Sequence, residues 1–179
     1  MRLNSRNGFT LIEVIVVAAI IAVLAGILVP LIFKEIDESK NARALADIRS
    51  ISSALIILKK DTGSWPISAT CSNTVTLLTG AGTVPALAGN WSNAVVNNLD
   101  SYVSIDDNAC WPGTWKGPYL AVLNADPWGR AYVINADAFT SVANPKPPIW
   151  ILSAGADGIL DTAANASVVA NDDIGLRLR

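Results

Sequence analysis

The residues able to do chemistry in this chain are few, and most of them are carboxylates. There is no histidine, and there are two cysteines, Cys71 and Cys110. A Ser-His-Asp triad, a Cys-His pair and an imidazole-ligated zinc or haem are therefore excluded within the chain, and two thiols fall short of a four-thiolate metal site. The adjacent acids Asp106-Asp107 and Asp172-Asp173 are the candidates for acid/base work, yet neighbouring carboxylates in loops are ordinarily solvated. No phosphate-cradling GxxxxGK(S/T) stretch is present. These features point away from an enzyme. Three others need an explanation: a lone carboxylate, Glu13, inside an apolar run; the two cysteines; and acids interleaved with glycines near the C-terminus.

The elements that must carry these residues follow from composition and period. Of 179 residues 51% are hydrophobic and 16% charged, too apolar for a disordered chain and suited to a buried core, a membrane segment or both. The net charge of −2 argues against a nucleic-acid binder, which needs clustered Lys and Arg. Residues 9–33 form a 25-residue run whose one charge is Glu13, and a bilayer-spanning helix needs roughly 20. A secretory signal has a shorter apolar core with its cleavage site after it; here a polar, basic leader, residues 1–8, comes first and ends in Gly8. Lys and Arg flank the run on both sides, so loop charge leaves orientation open. The cysteines favour an outward polar part, because a pair there forms a disulfide in an oxidising compartment; two buried free thiols are the other reading.

A carboxylate inside a membrane helix costs on the order of 2.5 to 3.5 kcal/mol, less near the interface, and such groups usually have a partner. No basic residue near Glu13 on its own helix supplies one. Pro30, which has no N–H, predicts a kink or local melting of the helix around residues 26–30. Beyond the run, Leu45, Ile48, Ile51, Leu55 and Leu58 recur at helical spacing. One helix over residues 9–60 would be about 78 Å long, with Gly63 and Pro66 to stop it. Residues 67–116 read as a loop with one or two short helices. From residue 118, strand-like YLAVL, AYVI and IWIL alternate with turns. The expected fold is α+β, a small antiparallel sheet on the apolar face of the helix. The boundaries are residues 1–8, 9–33, 34–62 and 63–179. The six tryptophans are read as core filling, with sugar stacking as the alternative.

Gly8, Phe9, Thr10, Leu11, Ile12 and Glu13, with Pro30 later in the run, resemble the class III leader and first helix of type IV pilins and of the pseudopilins of type II secretion. That resemblance implies cleavage between Gly8 and Phe9 by a prepilin peptidase, methylation of the new Phe9 amine, and pairing of that amine with Glu13 of the next copy in a helical homopolymer. Asp126-Pro127-Trp128-Gly129, Ser153-Ala154-Gly155-Ala156-Asp157-Gly158 and Asn171-Asp172-Asp173-Ile174-Gly175 are similar, in that order, to the major pseudopilins. There the resemblance implies calcium, with Asp157, Asp172 and Asp173 as acids and Ala154 as the carbonyl. The hard-cation reading also stands on the residues themselves, since calcium takes 6 to 8 oxygens and a Gly-rich turn with Asp, Ser and Asn supplies them. Between Gly158 and Asn171 a further ligand is open among Asp161, Thr162, Asn165, Ser167 and Asn171.

The resemblance further implies a single-pass inner-membrane protein with its head in the periplasm, an inner-membrane assembly platform and minor pseudopilins as partners, and a role in protein export across the outer membrane. The expected function is a structural pseudopilus subunit. The alternatives are the major subunit of a surface type IV pilus, whose disulfide usually brackets a loop nearer the C-terminus than Cys71 and Cys110, and a membrane-anchored glycan or surface binding module.

Overall fold

The computed structural model describes residues 8–67, 75–106 and 110–179. It opens on one helix, α1, Leu11–Thr62, 52 residues long. Thr10 caps it: the Glu13 amide donates to Thr10 Oγ1 at 3.3 Å, the Ser/Thr-x-x-Glu pattern of a capping box. Its stop is where Gly63 was expected to put it, with φ +76° and the Gly63 amide on the Lys59 carbonyl at 2.9 Å. The helix is continuous through Pro30, so the expected local melting is corrected. The missing Pro30 N–H removes one hydrogen bond, and the turns on either side keep theirs.

Two compact units divide within this helix, Met1–Ser39 and Lys40–Arg179. In the first, every described residue is exposed, Phe9 and Leu11 at 83% and 78%, and the helix is long and apolar enough to cross a membrane. An apolar surface of that extent is stable in lipid or against other protein, not in water.

In the second unit the chain adds β1 (Leu77–Thr79), β2 (Ala86–Leu87), β3 (Val96–Asn98), α2 (Asp100–Val103), β4 (Val133–Asn135), α3 (Asp137–Thr140), β5 (Trp150–Ser153), β6 (Ile159–Leu160) and β7 (Ile174–Arg177). Five strands make one sheet in the order β3-β1-β4-β5-β7, and β2 pairs with β6 apart from it. The sheet is antiparallel except at β1-β3, which is parallel. The expected α+β fold is present with a mostly antiparallel sheet, and the parallel pairs, β1-β3 and the separate β2-β6, are the departures from it.

Both faces of the sheet are buried. On one, Ile48, Ile51, Leu55 and Leu58 of α1 join Leu78, Ile134 and Ile151 in a single cluster; on the other, Leu77, Val133, Trp150 and Leu152 join Leu160. Alternate side chains of β1, β4 and β5 thus serve different cores. Tyr132, buried beside the helix, donates its hydroxyl to Asp47 Oδ2 at 2.9 Å. Burial and the Asp47 carboxylate raise its pKa far above the usual range, so the phenol stays a donor. YLAVL is no strand: the amides of Tyr119 and Leu120 bond to the Val103 carbonyl, closing the end of α2. Residues 67–116, expected as loop and short helix, hold α2 but also β1, β2 and β3.

Candidate functional site

Strand pairing creates the site. β5 and β7 run antiparallel with Ser153 opposite Ile174, so the turn after β5 and the residues before β7 meet at one sheet end. Gly155 and Gly158 have φ of +58° and +80°, which lets the turn reverse tightly. Space demands glycine as well: a Cβ on Gly155 would lie 2.2 Å from the Asp172 carbonyl oxygen. Asp172 Oδ2 accepts the amides of Ala156 at 2.7 Å and Asp157 at 3.0 Å, and Asp157 Oδ1 accepts that of Ile159 at 2.8 Å.

A third carboxylate joins them. One oxygen each from Asp157, Asp161 and Asp172 lie within 4.8 Å of one another. Asn171, at φ +50°, donates Nδ2 to Asp161 Oδ2 at 2.5 Å. Each of the three acids has one oxygen engaged by a protein donor and the other without one among the described residues. Oxygens on a calcium shell of about 2.3 to 2.6 Å lie at most about 5 Å apart, so the separation and the all-oxygen chemistry fit that ion. Three clustered carboxylates also repel one another, and a cation between them would relieve that repulsion.

Of the sequence-derived ligands, Asp157 and Asp172 are in this group, and Asp161 comes from the set left open. Asp173 lies outside the group. It is 7% exposed, and its Oδ2 accepts from Thr162 N at 2.6 Å and Thr162 Oγ1 at 2.7 Å, while Oδ1 is buried without a hydrogen-bond partner. Burial pushes its carboxyl upward, and the Thr162 hydrogen bonds pull it back. The Ala154 carbonyl, fully buried, accepts the Gly158 amide at 3.2 Å.

Residues 158–171 are pinned along their length, which the sequence did not foretell. The Trp91 and Trp150 indoles donate to the Thr162 and Ala166 carbonyls at 2.6 and 3.1 Å, and Asn90 Oδ1 accepts the Ala164 amide at 2.9 Å. Trp65 stacks on Phe139, and Trp111 and Trp115 donate to Ser64 and to the Tyr102 carbonyl. Trp128 packs on the core. The tryptophans are thus core and anchoring residues, which takes away the support for sugar stacking.

The other motif, Asp126-Pro127-Trp128-Gly129, is attached to the same place. Asp126, 4% exposed, accepts the Trp128 and Arg130 amides on Oδ1 at 3.0 and 2.8 Å and the Ser153 hydroxyl on Oδ2 at 2.6 Å. It forms an Asx turn and fastens that turn to the end of β5. At the other end of the chain Phe9 and Glu13 are exposed, Glu13 in the first turn of α1. Gly8 is described and exposed, whereas the rest of the leader, residues 1–7, lies outside the described residues. Cys71 also lies outside them; Cys110 is buried at 6% exposure, with its amide on Asp106 Oδ1 at 2.9 Å.

A helix capped by Thr10 and carrying Glu13, apolar and exposed through residue 39 and joined in sequence to a sheet-and-helix head, is the architecture of a membrane-anchored protein with an N-terminal methylation motif, and residues 3–29 match the family model for the prokaryotic N-terminal methylation motif. Residues 96–172 match the model for protein G of the type II secretion system. Type II secretion system core protein G of Escherichia coli (strain K12) is 30% identical over 161 residues, 89% of this chain and 88% of that one. Its counterpart in Pseudomonas aeruginosa is 28% identical over 174 residues, 97% and 99% of the two chains. The chain belongs to the type II secretion system core protein G family. The crystal structure of the major pseudopilin from the type 2 secretion system of enterohaemorrhagic Escherichia coli aligns with 79% of this chain and 86% of that one, at 20% identity and a TM-score of 0.45.

Proposed function

We propose that this chain is the structural subunit of a type II secretion pseudopilus, resident in the inner membrane with its head in the periplasm until it is assembled. The observation that carries the reading is the likeness to a core protein G along 89% of the chain. Its role is mechanical, with no catalytic step. A prepilin peptidase removes residues 1–8, the Phe9 ammonium pairs with Glu13 of the adjacent copy, and the exposed residues of α1 pack against other copies in a helical filament. An inner-membrane platform adds subunits, minor pseudopilins complete the assembly, and its growth moves proteins across the outer membrane. Cys71 and Cys110 form a disulfide in the periplasm.

The resident ion is calcium, held by Asp157, Asp161 and Asp172 with the Ala154 carbonyl. When bound, it supplies the positive charge that lets the three carboxylates share one turn. The experiment is intact-mass measurement of membrane-extracted protein together with electron microscopy of sheared cells. The expected result is a chain beginning at a methylated Phe9 and fibres that contain it. Retention of Met1 to Gly8, with no fibres, would overturn the reading.

A further inference from the structure

Arg130 follows the Asp126 turn directly, and its backbone is fixed there: its amide donates to Asp126 Oδ1 at 2.8 Å and its carbonyl accepts the Asp126 amide at 2.8 Å. Its side chain leaves that turn for the acidic one. Arg130 Nη1 donates to the Gly155 carbonyl at 2.8 Å and the Ala156 carbonyl at 3.3 Å. Those carbonyls belong to the same two peptide planes whose N–H groups, from Ala156 and Asp157, reach Asp172 Oδ2. Each plane is held at both ends, oxygen toward a cation and N–H toward an anion, which is the favourable direction for a peptide dipole. Two successive amides converging on one carboxylate oxygen form a small anion nest. A Cβ on Gly158 would lie 2.1 Å from Arg130 Cζ, so glycine is what leaves room for the guanidinium.

We propose that Arg130 is a positioning residue for the cation site: by holding two carbonyls it turns two amides onto Asp172 Oδ2 and leaves Asp172 Oδ1 to the metal. The proposal rests on the calcium reading above. The same clamp keeps the Gly155 and Ala156 carbonyls out of the ligand set, so the ion's protein neighbours are the carboxylates of Asp157, Asp161 and Asp172 and the Ala154 carbonyl. It gives the Asp126 and Asp157 motifs one purpose, the first fixing the arginine that shapes the second.

Calorimetric titration of the detergent-solubilised full chain with calcium chloride tests this, together with hydrogen exchange at the Ala156 and Asp157 amides in excess chelator. Arg130→Gln is expected to weaken calcium binding about tenfold and to speed exchange at both amides. Arg130→Lys, which keeps a cationic donor, should recover a large part of both. Asp161→Asn should weaken calcium binding while leaving those amides protected. Wild-type affinity in Arg130→Gln beside a weakened Asp161→Asn overturns the Arg130 proposal alone. Wild-type protein that takes up no calcium rejects the calcium reading instead, and exchange in chelator then decides the clamp: unchanged protection in Arg130→Gln overturns it.

Discussion

Glu13 stands at the start of α1, where two local effects favour a carboxylate. As the third residue after Thr10 it sits in the capping-box position at the start of α1, where a carboxylate also faces the positive end of the helix dipole. Gln serves a capping box nearly as well but carries no charge. Glu13→Gln should therefore give filament yields between wild type and Glu13→Ala, measured as pelleted fibre protein, with membrane insertion intact in both. Equal yields for Gln and wild type would show that the acid acts as a cap and not as a charge partner. Asp173 is the second case in which type and role part company. Asp173→Ala strands the buried Thr162 amide and hydroxyl and should cost about 1 to 3 kcal/mol in urea unfolding, whereas Asp173→Asn keeps an acceptor and should stay within about 1 kcal/mol. Calcium affinity should survive the Asn change; a loss as deep as that of Asp161→Asn would make Asp173 a ligand.

At the scale of elements, the C-terminal half of α1 is held by its apolar stripe and by one polar tie. Tyr132→Phe removes the bond to Asp47, whose side chain is 37% exposed and regains water, so the expected loss is near the low end of the range for charged hydrogen bonds, about 1.5 kcal/mol in a denaturant titration. The Cys71–Cys110 bridge would close a loop of 38 intervening residues, and Cys110→Ser should cost about 3 to 4 kcal/mol by chain entropy. Two alkylatable thiols in non-reduced periplasmic protein would rule the bridge out. The helix was legible because 3.6-residue spacing and Gly63 are local signals, and Ile48, Ile51, Leu55 and Leu58 are buried as that spacing requires. Strands β1 to β3 were not, since two or three residues such as Leu77–Thr79, buried throughout, carry no alternation to read. The acidic turn was half legible. Asp157 beside Gly158 and Asp172 in the Asn-Asp-Asp-Ile-Gly stretch stand in recognisable runs, but Asp161 is brought in by the fold of residues 158–171, which Trp91 and Trp150 anchor from 71 and 16 residues away. YLAVL misled because its first two amides close α2 while Tyr119, Leu120 and Leu123 pack on the core that includes α1, without strand pairing.

At the scale of the whole molecule, one chain combines an apolar helix that is stable in lipid or against other protein with a head whose second core adjoins the acidic turn. Residues 158–171 carry both Asp161 of the acidic group and the core residues Leu160 and Val169, so loosening the turn should loosen that core. Excess chelator is therefore expected to lower the melting temperature of the full chain and expose residues 157–173 to protease. If free calcium is about 100 times its dissociation constant, the linkage amounts to roughly 2.7 kcal/mol. Asp157→Ala and Asp172→Ala should abolish the difference between calcium and chelator, and Asp106→Ala, which loses the bond to the Cys110 amide, should keep it. Equal melting temperatures with and without calcium would return these acids to the role of turn caps. The central claim, that the chain is a working subunit of a secretion pseudopilus, is tested most directly by deleting its gene in the native cell and measuring how a type II exoprotein divides between periplasm and medium. The account predicts retention in the periplasm, reversed by the wild-type chain but not by Glu13→Ala; undiminished exoprotein in the medium of the deletion strain would contradict it.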